Sequence, residues 1–89
     1  MSQLFRGGAV DATPVASWRA QNGLHVTAVM MVNRRSERVV LDPRQVRGDW
    51  LAATLHHSDL GPKGEASDTS TIYLISDRPF LDVVKLWHG

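Results

Sequence analysis

The most regular hydrophobic pattern runs from Leu24 to Asn33, LHVTAVMMVN. With a period of two, Val26, Ala28, Met30 and Val32 share one face, and His25, Thr27, Val29, Met31 and Asn33 share the other. Both faces are largely apolar, which predicts a central strand. Asn22-Gly23 before it is a turn signal, since both residues tolerate positive φ. Val15 to Arg19 predicts a short strand leading into that turn, anchored by Trp18. After Asn33, the polar Arg34-Arg35-Ser36-Glu37 suits a hairpin loop, and Arg38 to Leu41 returns as a strand.

Asp42-Pro43 ends that strand and favours a turn of helix, because Asp caps and Pro suits the first position inside. DPRQV therefore predicts one helical turn over Asp42 to Val46, with Val46 inward and Gly48 breaking it. Trp50 to His57 alternates like a strand. Ser58 to Asp68 predicts a loop, and Thr69 to Ser76 (TSTIYLIS) a strand of strong β propensity. Phe80, Val83, Val84 and Trp87 recur at helical spacing, so a short closing helix is expected, with a terminal strand as its competitor. An exposed stripe of Phe80, Leu81, Val84 and Trp87 would itself be a partner site.

These elements predict a mostly β chain, a small antiparallel β-sandwich or partly open barrel, with a helical turn near Asp42–Val46. The expected organisation is a flexible arm or linker over residues 1–14, with a short strand near its end, followed by one β-rich domain over residues 15–89. Trp18, Trp50 and Tyr73 are expected in the core, because aromatics at inward strand positions usually pack there. Pro43 and Gly48 are expected to shape the backbone.

Composition narrows the function. The chain has 89 residues and no cysteine, so disulfides and thiolate metal sites are excluded. Ten Lys+Arg oppose nine Asp+Glu, a balance unlike that of a dedicated nucleic-acid binder. No apolar run approaches the roughly 20 residues of a membrane span. Arg34, Arg35, Arg38, Arg44 and Arg47 crowd one segment, against Glu37 and Asp42, and the stretch from Asp49 to Asp82 is acidic. Scattered loop charge accounts for this. A sharper reading gives the chain a basic and an acidic face that meet head to tail in an assembly, with the five arginines as interaction residues.

Candidate chemistry is sparse. His56 and His57 are adjacent in a strand, so their side chains point to opposite faces and do not readily share a metal. His57-Ser58-Asp59 holds the residue types of a nucleophilic triad, but sequence neighbours rarely form that geometry. Arg47-Gly48-Asp49 spells an adhesion tripeptide and is more simply a turn. No catalytic, cofactor-binding or metal-binding residue is expected. A nucleic-acid-binding accessory module using Arg34 to Arg47 is the alternative, although few aromatics interleave with the arginines as stacking platforms.

Three motifs carry a family resemblance: HVTAVMMVNR, then VVLDPRQVRGDWLAATLHHSDLGPKG, then DTSTIYLIS. Over Leu24 to Phe80 the chain resembles the TraK-like family of integrating-conjugative-element proteins, and LDPRQVRGDWLAAT is its most specific block. The resemblance implies a structural, non-catalytic subunit of a conjugative type IV secretion system. It implies a periplasmic location at the outer-membrane core complex, with a lipoprotein, a scaffold subunit and other copies in a ring as partners. It also implies that the chain is the family's C-terminal β-sandwich, without its N-terminal domain and signal peptide.

Overall fold

A computed structural model describes residues 4–6 and 10–85. Six strands are present: β1 (Val10–Arg19), β2 (His25–Asn33), β3 (Val39–Val40), β4 (Ala52–Leu55), β5 (Asp59–Leu60) and β6 (Thr69–Ser76). One short helix, α1 (Phe80–Val84), and two 3-10 turns, Pro43–Gln45 and Ala66–Asp68, complete the described elements. The order β1-β2-β6-β4 forms a four-stranded sheet, and β3-β5 a two-stranded one. Every pairing is antiparallel. The fold is a small, partly open two-sheet β structure, as the hydrophobic pattern predicts.

The core fills the space between one face of the large sheet and everything laid across it. Val29, Met31, Ile72 and Leu74 project from β2 and β6, and Ala12 from β1. Leu41, Leu60 and Phe80 close over them from the small sheet and α1. β2 lies between β1 and β6, but lateral pairing covers neither of its faces, so the core accounts only for the inward half of its apolar pattern.

Of the expected arm over residues 1–14, the described residues 4–6 and 10–14 are ordered into the fold, and the short strand expected near its end is the start of a longer one. β1 starts at Val10, and Val10 and Ala12 are buried. Leu4 and Phe5 are core residues, and Phe5 bridges Val46 in antiparallel fashion. Arg6 N–H donates to the Gln45 carbonyl, and Arg47 N–H to the Leu4 carbonyl. Apolar side chains at positions 4 and 5 supply the burial energy that fixes this segment. The β1 register shifts between Pro14 and Ala16. Such a bulge inserts a residue and inverts the alternation beyond it.

The loop expected after Ser58 also holds β5 and a 3-10 turn. Its hidden anchor is Asn33, fully buried at the end of β2. Asn33 Nδ2 donates to the carbonyls of Glu37 (2.8 Å) and Gly61 (2.9 Å), and its Oδ1 accepts from Arg35 N–H (2.9 Å). β2 pairs with β1 and β6, and β3 with β5, so the expected hairpin over residues 34–37 is corrected to a link between the two sheets, and this one side chain ties that link to the segment after β5. The C-terminal segment is helical over Phe80–Val84, with Phe80 and Val83 buried, so the proposed exposed stripe is corrected. Only Leu81 of that stripe is strongly exposed, and Trp87 lies outside the described residues.

Candidate functional site

The expected arginine cluster is divided between two elements. Arg34, Arg35 and Arg38 lie in the link between β2 and β3, whereas Arg44 is in the 3-10 turn after Asp42 and Arg47 follows it. Arg34 Nε lies 3.0 Å from Asp11 Oδ2, Arg38 3.7 Å from Asp59 Oδ2, and Arg44 2.9 Å from Asp42 Oδ2. The Arg44 side chain, its backbone N–H and its charge hold the Asp42 carboxyl below its ordinary pKa. The same hydrogen bond and charge raise Arg44. These exposed pairs add little stability, but they balance basic residues against acids of the same chain.

Pro43 and Gly48 shape the backbone as expected. Pro43 opens the 3-10 turn behind the Asp42 cap, whose Oδ1 accepts from Arg44 N–H at 2.9 Å. Gly48 adopts φ +113°, and a Cβ there would stand 2.7 Å from Trp50 Nε1. Trp50 is half-buried against the core, and its indole N–H donates to the Arg47 carbonyl at 2.7 Å.

The other two aromatics are corrected. Trp18 and Tyr73 face outward, 46% and 39% exposed. Without the bulge, Trp18 would continue the inward series of Val10 and Ala12; the extra residue puts Ser17 on that side of the sheet instead, where it remains exposed. Ser17 Oγ accordingly meets Thr27 Oγ1 at 3.0 Å. On β6, Ser70, Ile72, Leu74 and Ser76 take the buried positions, so Tyr73 must face the other way.

His56 and His57 meet edge to face with centroids 5.6 Å apart. His57 Nδ1 lies 2.8 Å from the carbonyl oxygen of Asp59, while the Asp59 carboxylate faces Arg38. Among the described residues, no group of three or more His, Asp or Glu is placed to hold a metal ion.

What the structure does assemble is the outer face of the four-stranded sheet. Directly paired residues share a face, so the register defines its rows. Trp18, Val26, Ile75 and Ala52 form one row, and Ala16, Ala28, Tyr73 and Thr54 the next. Thr13, Met30 and Thr71 follow, then Asp11, Val32 and Thr69. An antiparallel sheet with one face in water normally alternates apolar inside and polar outside. Here the outward positions of β2 are Val26, Ala28, Met30 and Val32, without a polar residue among them. Asp11 is the only carboxylate in these rows; it sits at a corner and pairs with Arg34. The signal for this face was already present in the double-sided apolarity of Leu24 to Asn33.

A family model for proteins of unknown function, DUF3438, matches residues 1–86. The chain belongs to the DUF3438 family. No curated protein and no solved structure gives a significant match.

This DUF3438 chain also has an open groove of about 720 Å³ where the two sheets part, lined by Val40, Leu41, Ala53, Leu55 and His57 among others. The polar side chains of Asp42, Thr54, His57 and Ser58 also line it, and the Asp42 carboxylate is paired with Arg44.

Proposed function

We propose that this DUF3438 chain is a non-catalytic protein-interaction domain, and that it serves as a structural subunit of a conjugative type IV secretion system. The observation that carries the binding role is the uncovered apolar face centred on β2, flanked by Trp18 and Tyr73. Exposed contiguous apolar surface on a folded domain marks an interaction site, and Trp and Tyr are the residues that most often anchor one. The resemblance of the LDPRQVRGDWLAAT block to TraK-like proteins supports the assignment to the periplasmic, outer-membrane core of the secretion machinery. The partners on this reading are the lipoprotein and scaffold subunits. No helix among the described residues is long and apolar enough to cross a membrane.

The DNA-binding alternative draws on Arg34 to Arg47. The ion pairs of Arg34, Arg38 and Arg44 with acids of the same chain disfavour it.

Light scattering on the purified chain, mixed with the secretion-core lipoprotein of the same mobile element, tests the proposal. A defined complex supports it. Absence of any complex with the lipoprotein or the scaffold subunit removes the secretion-core assignment. A DNA titration at two salt concentrations decides the alternative, because phosphate contacts weaken steeply as salt rises.

A further inference from the structure

We infer that the outer face of the β1-β2-β6-β4 sheet docks against the same face of a second copy of this chain, forming a two-fold, face-to-face sheet dimer. The inference rests on the protein-binding reading above and names the partner of that face.

Shape is the first argument. The central rows combine small residues, Ala16, Ala28 and Thr54, with Trp18, Met30 and Tyr73. Low positions beside tall ones suit a second sheet, which interdigitates at about 10 Å. A strand added at the β1 edge is less well provided for. Pro14 lacks an N–H, and the adjacent bulge bends the strand, both devices that block edge pairing.

Charge is the second argument, and it selects the occupant. A two-fold contact sets each patch against itself, so any charge near its centre meets its own like. None of the ten Lys+Arg of the chain lies in the rows of this face, and its one carboxylate, Asp11, is at a corner and ion-paired. A surface without charge offers nothing to steer a charged partner, but it meets its own copy without repulsion.

Area sets the strength. Four strands about 4.8 Å apart, with about seven residues rising about 3.3 Å each, span roughly 450 Å². Two such faces bury on the order of 1,000 Å², the low end for a specific interface. The dimer is therefore weak and reversible, and an apolar contact of this kind holds or strengthens as salt rises.

Sedimentation equilibrium of the 89-residue chain over a wide concentration range reads the dimer directly. The expected result is a mass that rises from monomer toward dimer and does not fall with added salt. Met30→Arg places a charge near the axis and should weaken association by roughly tenfold or more. Circular dichroism and the melting midpoint confirm that this variant remains folded. Because the chain has no cysteine, Met30→Cys supplies a second readout: it should oxidise to a disulfide dimer much faster than Ser36→Cys, in the link between β2 and β3. A mass fixed at monomer throughout, or equal oxidation of the two cysteine variants, overturns the dimer. The wider reading is decided separately, by mixing wild type and Met30→Arg with the secretion-core lipoprotein. Binding lost only in Met30→Arg keeps this face as a surface for a different protein. Binding by neither removes that reading as well.

Discussion

Trp50 and Phe80 lie ring on ring, with centroids 5.7 Å apart and planes 21° from parallel. The stack joins the segment after the Pro43 turn to the first residue of α1, two parts of the chain that no strand pairing connects. Trp50→Ala removes that stack and also the indole bond to the Arg47 carbonyl. For a half-buried Trp the expected loss is about 2–3 kcal/mol, below the roughly 3–5 of a fully buried one. Trp50→Phe keeps the ring contact and loses only the bond, so its cost should be about 1 kcal/mol. Urea unfolding of the two variants checks the order.

Gly48 is fixed by the same indole. At φ +113° a side chain is strained, and a Cβ would press on Trp50 Nε1. Gly48→Ala should therefore cost about 2–3 kcal/mol. If the indole clash contributes, the penalty should shrink measurably when Trp50 is also replaced by Ala, which a double-mutant cycle reads.

Asn33 tests whether one buried amide holds the link between β2 and β3 to the loop after β5. Asn33→Ala leaves the Gly61 carbonyl without that donor in a buried setting, at an expected cost of about 2–3 kcal/mol. Amide exchange should accelerate first at Arg35, whose N–H loses its acceptor.

Acid sensitivity follows from Asp42 and Asp68. Arg44 lowers the first, and the Thr69 hydroxyl and Gly64 N–H lower the second, from an ordinary value of 3.8. A carboxylate lowered in the folded state contributes stability that is fully present above its unfolded pKa and lost as pH falls through the folded one. Both contributions should thus vanish only below the ordinary value. Asp42→Asn keeps a capping oxygen for Arg44 N–H while deleting the charge, so its melting point should depend less on pH in the acid range. Carbon-detected titration of the carboxyl groups in the wild-type chain measures the two pKa values.

The strands β2 and β6 and the Pro43 turn were legible because local pattern and tertiary role agree there. The misplaced aromatics share one physical origin, since alternation defines two faces without saying which is inward. The parity of β1 depends on a bulge between Pro14 and Ala16 that no spacing announces, and this sent Trp18 to the wrong side. Leu4 and Phe5 lie among glycines and polar residues, so their burial shows only through long-range partners such as Val46. β5 is two residues long, and the bonds of Asn33 that fix its surroundings have no local signature. The outer face was half visible, in the outward residues of β2, but which residues flank them depends on strand order.

Ile72 and Tyr73 put that face to the sharpest test, because adjacent residues of β6 point to opposite sides. Ile72 is fully buried and Tyr73 is 39% exposed. Ile72→Ala opens a cavity in the core and should cost about 3–4 kcal/mol. Tyr73→Ala removes a ring from an open sheet surface and should cost the isolated domain about 1 kcal/mol or less. Association should move the other way, falling sharply in Tyr73→Ala while its melting point changes little. The physical reason is that an interface aromatic completes its burial only when the partner arrives, so its energy appears in binding rather than in folding. Melting and sedimentation on the same two variants separate the effects. If Tyr73→Ala unfolds the chain as readily as Ile72→Ala, the outer face is a second core rather than a docking surface. If it changes neither stability nor association, Tyr73 is not an anchor, and the contact must centre on Met30 and Trp18.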